Sequence, residues 1–345
     1  MAIELWVTPS QQQRRHYWGI VLAGGEGKRL RDFLKREYKQ ESPKQFCSIT
    51  GKRSMLKHTL DRAASLIPEQ RLLTVISRQH LLFAIEEISQ RDPKTIVTVP
   101  LNRETGPSLL LALMRIYKMD PESVVAVFPS DHFIVEEDLF MNYVCGAFDF
   151  ISTNPQSIAA LGVPPTSIQP GYGWMEKGQI LSTKGGISVY KVRRFYEKPE
   201  ADEMRRLLPQ DCLWNTMTMV GRAEMFLRLF QEFVPDLFIS FQRINHALGT
   251  PFETEVIFDV FETLPVVNFS QAILERIPHY LCVIPLHGVY WNDWGDEHRI
   301  RADLSRFASY RRAPEPELEL VELKNKNYSI ELSSKRHLEE EGITA

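Results

Sequence analysis

The chain has 345 residues and a mass of 40.0 kDa, with 43% hydrophobic and 25% charged residues, a composition ordinary for a globular protein large enough for one α/β domain. Its formal net charge of −3 gives no reason to expect a nucleic-acid partner. No stretch is long and apolar enough to span a bilayer and the N-terminus lacks a signal-peptide pattern, so we expect a cytoplasmic protein with no membrane partner.

Short apolar runs alternate with amphipathic stretches in the first half of the chain. The apolar runs predict strands at residues 17–22, 72–77, 95–99, 124–128 and 158–162. The amphipathic stretches predict helices at residues 54–67, 79–89, 107–118 and 139–152. This alternation is typical of an α/β fold with a mostly parallel sheet and helices on both faces. In such sheets ligands bind outside the carboxyl ends of the strands.

The second half is less regular. Its many Gly and Pro residues predict loops at 164–186, and strands are predicted at 187–196, 213–220 and 281–285. Helices are predicted at 223–233, 237–247, 253–264 and 270–276, and the tail at 315–345 is predicted to be a solvated helix or a frayed end. We therefore expect a flexible N-terminal arm (1–16), one large domain (17–312) and a charged C-terminal extension (313–345).

A glycine-rich loop follows the first predicted strand. Glycines let a backbone approach a phosphate and direct its N–H groups toward it, and two cations follow them here. A Walker A loop is excluded because Gly27-Lys28 is followed by Arg29 and not by Ser or Thr, and because Leu22 stands where its first glycine belongs. A dinucleotide fingerprint is weak because Leu30 stands at its third glycine. The loop does match the pattern GGxGxRL.

Seven further segments, in order, resemble those of sugar-1-phosphate nucleotidyltransferases, and in particular bacterial mannose-1-phosphate guanylyltransferases, to which the GGxGxRL loop also belongs. The segments are SPKQF (42–46), LNRETGP (101–107), FPSDH (128–132), GYGW (171–174), YEKP (196–199), LWN (213–215) and WNDWG (291–295). The resemblance covers residues 20–299, about four-fifths of the chain. It implies a Rossmann-like mixed sheet and the transfer of a nucleotidyl group from a nucleoside triphosphate to a sugar 1-phosphate, with release of pyrophosphate.

The resemblance also implies roles for individual residues. Arg29, Lys44 and Lys198 would be the catalytic cations around the two anionic substrates. The nucleotide site would be formed by Leu22, Gly24, Gly25, Gly27, Lys28, Arg29, Asn102, Thr105, Gly106 and Pro107. The sugar phosphate would be bound by Gly173, Glu197, Lys198 and Asn215. Asp131 and Asp293 would bind Mg²⁺, the one cofactor that we expect.

The resemblance indicates the type of reaction more clearly than it indicates the two substrates. The resemblance favours GTP and mannose 1-phosphate, with GDP-mannose as the product, and leaves open another sugar phosphate with UTP or dTTP. It also leaves open a homodimer, and a catalytically silent regulatory protein that binds a sugar nucleotide. The related segment WNSG is Trp214-Asn215-Thr216-Met217 here, so a bulky side chain replaces a glycine beside the expected sugar pocket.

Overall fold

The computed structural model describes residues 13–312. The predicted C-terminal extension (313–345) and most of the predicted N-terminal arm (1–16) lie outside the described residues. The chain divides into two compact units, 1–297 and 298–345, and the described part of the second unit consists of residues 298–312 in one helix. The predicted domain boundaries at 16/17 and 312/313 remain a prediction.

The first half of the chain has the predicted alternation of strands and helices. Its strands are β1 (Tyr17–Leu22), β2 (Leu72–Ser77), β3 (Ile96–Val99), β4 (Val124–Pro129), the short β5 (Phe133–Ile134) and β6 (Ile158–Val163). Its helices are α1 (Arg31–Tyr38), α2 (Met55–Ala64), α3 (Ile85–Ile88), α4 (Thr105–Met119) and α5 (Glu137–Thr153). The predicted strands and helices therefore recur here within a few residues, apart from the helix at 79–89.

The second half adds a long hairpin and a group of helices. Its strands are β7 (Gly173–Lys184), β8 (Ile187–Glu197), β9 (Cys212–Arg222), β10 (Leu281–Pro285) and the short β11 (Trp291–Asn292). Its helices are α6 (Ala201–Leu207), α7 (Ala223–Phe233), α8 (Pro235–Ala247), α9 (Glu253–Thr263), α10 (Phe269–Ala272) and α11 (Glu297–Arg312). None of the helices in the described part of the chain is long and apolar enough to cross a membrane.

Nine strands form one mixed sheet in the order β3-β2-β1-β4-β9-β6-β10-β8-β7. Strands β3, β2, β1 and β4 are parallel neighbours, as are β6 and β10. Strand β9 separates these groups and runs antiparallel to both β4 and β6. The predicted α/β fold with a Rossmann-like mixed sheet is thereby confirmed. Because β1, β2 and β4 are parallel, their carboxyl ends meet at one edge.

The core lies in two layers, one on each face of the sheet. Alternation along β1 places Trp18 and Ile20 in one layer and Tyr17 and Val21 in the other. Helices α4, α7, α8 and α9 contribute apolar residues to the first layer, and α2 and α5 contribute to the second. The sheet is therefore covered on both faces, which explains the continuous apolar runs of its parallel strands.

Two predicted elements differ from the structure. The segment 164–186, predicted as loops, contains β7, because its residues pair with β8 across a turn at Gly185 and Gly186, both with positive φ. The helix predicted at 79–89 is a 3-10 segment (Arg78–Ala84) followed by the single-turn α3. Only His80 and Ala84 are buried in this stretch, so no continuous apolar face is available to stabilise a longer α-helix.

Candidate active site

A cavity of about 660 Å³ opens at the carboxyl ends of β1 and β4. The predicted residues that line it are Leu22, Gly24, Gly25, Gly27, Lys28, Arg29, Lys44, Asn102, Thr105 and Asp131. It is also lined by residues that the sequence did not single out for binding, namely Glu26, Leu30, Val75, Glu104, Ser108, Pro129, His132, Met217, Val266, Trp294 and Gly295. The site therefore lies where ligands bind in open α/β sheets.

The glycine-rich loop forms one wall of this cavity and is fixed by the neighbouring segment 42–46. Gly27 has a φ of 60°, and a Cβ atom there would lie 2.9 Å from the backbone nitrogen of Lys44. Gln45 is buried, and its Nε2 donates to the carbonyl oxygens of Ala23 at 3.1 Å and Gly25 at 2.6 Å. At Gly25 a Cβ atom would meet no protein atom within 4 Å, so its absence leaves space to the cavity. Gln45 is therefore a positioning residue, although its place inside the segment SPKQF gives no sign of this role.

The charged side chains of the loop differ in their partners. Lys28 forms an ion pair with Glu26, whose pKa is lowered by this hydrogen bond in spite of burial, with a smaller contribution from Asn102. Arg29 is exposed in the cavity and has no ion-pair partner among the residues that the structure describes. The Arg29 guanidinium is therefore available to an anionic ligand.

Lys44 is only 4% exposed and connects two distant segments. Its Nζ lies 2.9 Å from Oδ2 of Asp131 and donates to the carbonyl oxygens of Asp293 and, at 3.3 Å, Trp294. Burial alone would raise the pKa of Asp131, but the attraction of the Lys44 ammonium holds it below the usual value. The structure thus brings a fixed ammonium and an ionised carboxylate together in the cavity.

Asp293 lies next to this pair but does not itself line the cavity. Its Oδ1 accepts hydrogen bonds from the Tyr172 hydroxyl at 2.7 Å and from the backbone N–H of Gly295 at 3.0 Å. The neighbouring His132 accepts a hydrogen bond at Nδ1 from the indole of Trp291 at 3.1 Å, and burial lowers the pKa of this imidazole to about 4. His132 is therefore neutral near pH 7.

Only some of the residues predicted to bind the nucleotide in segment 101–107 line the cavity. Asn102 and Thr105 line the cavity, and the Thr105 hydroxyl accepts a hydrogen bond from the backbone of Phe269 at 3.0 Å. Gly106 and Pro107 are buried in the first turn of α4 and do not line it. Gly106 serves close packing, since a Cβ atom there would lie 2.7 Å from the carbonyl oxygen of Val267.

The four residues predicted for the sugar phosphate form a second cluster. Strand β7 pairs Gly173 with Glu197 of β8, and a Cβ atom at Gly173 would lie 3.3 Å from Cβ of Asn215 in β9. Lys198 Nζ lies 3.3 Å from Oε1 of Glu197, whose pKa is raised by burial despite this cation. None of the four lines the cavity, but Met217 does, and its sulfur accepts a hydrogen bond from Asn215.

Unusual backbone conformations concentrate at this site. Within residues 13–312, the non-glycine residues with positive φ are Lys39, Glu104, Lys198, Met217 and Trp294. Of these, Glu104, Met217 and Trp294 line the cavity. Strained residues of this kind cluster at ligand-binding sites, because the surrounding structure holds the side chain in one place at an energetic cost. Sequence patterns carry no signal for such backbone strain.

Comparisons with known proteins identify the family of this chain. The model of the family "Nucleotidyl transferase" matches residues 18–300. The mannose-1-phosphate guanylyltransferase RfbM of Salmonella typhimurium is 29% identical over 284 residues, which cover 80% of this chain and 56% of that protein. A mannose-1-phosphate guanylyltransferase of Escherichia coli K12 is 26% identical over 282 residues, which cover 80% and 57%. The chain thus spans little more than half the length of these relatives.

Solved structures resemble the fold. A Thermus thermophilus protein, described as a mannose-1-phosphate geranyltransferase, has a TM-score of 0.68 at 24% identity and covers 81% of this chain and 76% of its own. A Helicobacter pylori protein, described as a mannose-6-phosphate isomerase, has a TM-score of 0.63 at 22% identity and covers 80% and 99%. The predicted resemblance and the predicted fold are both confirmed by these comparisons.

Proposed function

Because the chain belongs to the nucleotidyl transferase family, we propose that it transfers a nucleotidyl group from a nucleoside triphosphate to a sugar 1-phosphate and releases pyrophosphate. The observation that carries this proposal is that Gly25, Arg29 and Lys44 line one cavity together with Asp131, which is distant from them in sequence. Open backbone, two cations and a carboxylate are the groups that a reaction between two phosphate anions requires.

The chemistry is an in-line displacement. An oxygen of the sugar phosphate forms a bond to the α-phosphorus, and the bond from this phosphorus to the bridging oxygen breaks as pyrophosphate leaves with that oxygen. The attacking oxygen is already ionised, so the reaction needs no general base. Since its pKa is near 4, His132 is uncharged and supplies no cation either. The work of the protein is to align two anions and to neutralise their charge.

The cations have separate tasks in this proposal. Arg29 and the backbone N–H groups of the glycine-rich loop bind the triphosphate, with the planar guanidinium suited to two phosphate oxygens at once. Lys44 stands beside the reacting phosphate groups, where its contacts with carbonyl oxygens and Asp131 fix its position. Lys198 binds the phosphate of the sugar. More than half of its side chain is exposed beside Glu197, so its ammonium group can reach a ligand there.

The residues at the site fit Mg²⁺. Asp131 lines the cavity, and the backbone carbonyl of Asp293 contacts the same Lys44 ammonium as the Asp131 carboxylate. Mg²⁺ prefers hard oxygen ligands and is usually held by one or two carboxylates together with phosphate oxygens, so Asp131 and Asp293 would hold it. When bound, the ion neutralises negative charge on the phosphate groups.

Glu104 supports GTP as the nucleotide, in preference to UTP or dTTP. Its side chain lines the cavity between Asn102 and Thr105, and its carboxylate has no hydrogen-bond or ion-pair partner among the described residues. A carboxylate accepts hydrogen bonds only. The Watson–Crick edge of guanine offers two adjacent N–H donors, whereas that of uracil or thymine offers one N–H group between two carbonyl oxygens. Glu104 therefore matches guanine and repels the pyrimidine edge.

The relatives support mannose 1-phosphate as the sugar substrate, since those from Salmonella typhimurium and Escherichia coli K12 are named mannose-1-phosphate guanylyltransferases. In the proposed arrangement Glu197 and Asn215 bind sugar hydroxyl groups beside Gly173, which lets these side chains approach closely, since a Cβ atom there would lie 3.1 Å from Oε2 of Glu197. The product would be GDP-mannose.

A pyrophosphate-release assay over a matrix of triphosphates and sugar 1-phosphates with Mg²⁺ tests this function. We expect release with GTP and mannose 1-phosphate, and less with UTP or dTTP. Absence of release with every pair would overturn the enzymatic function and leave a regulatory protein that binds a sugar nucleotide.

The substitution Glu104→Gln tests the assignment of the base within the same assay. Glutamine keeps the shape of the side chain. Because both residues have a Cβ atom, the backbone strain at this position is the same in the variant and in the wild type. Because its amide can also donate, we expect the preference in kcat/KM for GTP over UTP to fall by roughly 10- to 100-fold. An unchanged preference would remove Glu104 from the base site.

A further inference from the structure

Met217 has a backbone conformation that a glycine would adopt without strain. Its φ is 56°, in the left-handed region, at the place where the related segment WNSG has its glycine. L-residues with a side chain adopt this region at a cost in free energy. The chain thus retains a thioether where glycine would relieve the strain.

The Met217 side chain lies between the cavity and the cluster of Gly173, Glu197, Lys198 and Asn215. It lines the cavity, and its sulfur accepts hydrogen bonds from Asn215 Nδ2 at 3.3 Å and from the Ser270 hydroxyl at 3.2 Å. Asn215 Oδ1 in turn accepts from the backbone N–H of Met217 at 3.0 Å. Asn215 and Ser270 are both buried.

The hydrogen bonds to the Met217 sulfur are weaker than bonds from the same donors to an oxygen atom would be. A thioether sulfur is a poor acceptor, so the buried Asn215 amide is held by a partner that a hydroxyl oxygen can readily replace, whereas the Ser270 hydroxyl also has the Glu197 carboxylate as an acceptor. The remainder of the side chain is apolar and flexible and can pack against a C–H face of a ligand. It occupies space that a large substituent on the ligand would need.

From this arrangement we infer that Met217 determines which sugar 1-phosphate the enzyme accepts. It admits a hexose 1-phosphate, whose hydroxyl takes the donor of Asn215, and it excludes an N-acetylhexosamine 1-phosphate, whose acetamido group meets the thioether. This inference rests on the proposed nucleotidyl transfer and extends it to the choice of sugar.

The test compares the wild-type protein with Met217→Gly and Met217→Ala. At saturating GTP, kcat/KM is measured for mannose 1-phosphate and for N-acetylglucosamine 1-phosphate. Both variants should raise the ratio of the N-acetylated to the unmodified sugar by about tenfold or more, in line with the discrimination that small differences in pocket volume provide. The KM for GTP should change by less than about twofold, because the nucleotide contacts are elsewhere in the cavity.

Lys39→Gly is the matched control for backbone strain. Lys39 also has a positive φ, of 58°, but it follows α1 and does not line the cavity. Lys39→Gly should raise the thermal midpoint, because glycine adopts this conformation without strain, whereas in Met217→Gly the same gain is offset by the loss of a side chain that packs on the core. Only the two Met217 variants should change the selectivity for the sugar.

The outcomes separate the two proposals. Wild-type turnover with unchanged selectivity in both Met217 variants would overturn the role of Met217 and leave nucleotidyl transfer intact. Absence of wild-type turnover with every sugar phosphate would instead overturn the proposed function itself, and with it this inference.

Discussion

At the scale of single residues, the site depends on side chains that hold other groups in place. Lys44 and Gln45 are adjacent in sequence and both buried, yet their side chains contact different parts of the site. Lys44 contacts Asp131 and the carbonyls of residues 293 and 294, whereas Gln45 fixes the glycine-rich loop through Ala23 and Gly25. The short segment 42–46 therefore joins the proposed triphosphate side of the cavity to its proposed metal side.

Replacing Gln45 by leucine should weaken the binding of the triphosphate. The variant removes two hydrogen bonds that orient the loop, each worth about 1 kcal/mol net, so we expect the KM for GTP to rise by roughly tenfold with a smaller change in kcat. Steady-state kinetics with GTP as the varied substrate measure this effect.

Gln156→Leu is the control for Gln45→Leu. Gln156 accepts a hydrogen bond from Arg228 at 2.9 Å and does not line the cavity, so its replacement should leave the KM for GTP unchanged. Equal KM values for wild type and Gln45→Leu would show that the loop keeps its conformation without this contact.

The sequence could predict much of the cavity at this scale, because ten of its lining residues were assigned from recognisable segments. Glu104 and Gln45 lie inside quoted segments, but their importance depends on burial and orientation, which a pattern of residue types does not contain. Val266 and Trp294 line the cavity only because distant chain segments meet there. The position of Met217 could be noticed as a departure from WNSG, but its positive φ and its contact with Ser270 could not.

At the scale of elements, a buried ion pair connects α2 to the start of α5. Arg62 of α2 is only 5% exposed, and its Nη1 donates to Oε1 of Glu137 at 3.0 Å. Burial would raise the pKa of Glu137, but His58 and Arg62 hold it below its usual value. Both helices pack on the same face of the sheet, so this pair fixes one helix against the other.

We expect Glu137→Gln to destabilise the protein by about 3 kcal/mol at pH 7, because it leaves the Arg62 guanidinium buried without a countercharge. The folded-state pKa of Glu137 lies below its unfolded value, so its contribution is present above the unfolded pKa and is lost as pH falls through the folded pKa. The difference in the free energy of unfolding between wild type and variant should therefore shrink below about pH 4. Urea unfolding at several pH values measures it.

Asp61→Asn provides the comparison for this prediction. Asp61 pairs with Arg53 and Lys57 at half-exposed positions, so its loss should cost less than about 1 kcal/mol. If Glu137→Gln cost no more than Asp61→Asn, the buried pair would not stabilise the contact between α2 and α5.

Strand β7 of the β7–β8 hairpin lies in a segment that the sequence pattern predicts as loops. Gly185-Gly186 between two alternating stretches is a hairpin signal, but the Gly and Pro residues upstream favour loops when each is considered alone. Strand β7 is specified by its pairing with β8 and β9, and such pairing is not visible in a local window. The parallel strands, by contrast, are buried on both faces and were predictable from continuous apolar runs.

At the scale of the whole molecule, the sheet gathers residues from most of the chain at one edge. The cavity is lined by residues from Leu22 to Gly295, and parallel strands β1, β2 and β4 bring their carboxyl ends there. The antiparallel strand β9 places Asn215 and Met217 next to this edge. The fold thus explains why segments with no local relation in sequence form one site.

Binding of the nucleotide should stabilise the folded protein as a whole. At a free GTP concentration about 100 times its Kd, the expected stabilisation is about 2.7 kcal/mol, and the thermal midpoint should rise by several degrees. Removing Mg²⁺ with EDTA should reduce this shift, since Asp131 and the triphosphate would then repel each other. A shift that is equal with and without Mg²⁺ would contradict the proposed metal site.

Detection of the nucleotide sugar itself distinguishes nucleotidyl transfer from hydrolysis, because pyrophosphate release alone would result from either reaction. Purified protein is incubated with GTP, mannose 1-phosphate and Mg²⁺, and the products are separated by anion-exchange chromatography. We expect GDP-mannose in a 1:1 ratio to pyrophosphate, with a rate lower by roughly 100-fold or more in Lys44→Met, because that variant loses the fixed cation beside the reacting phosphates. Pyrophosphate without GDP-mannose, or an undiminished rate in Lys44→Met, would contradict this expectation.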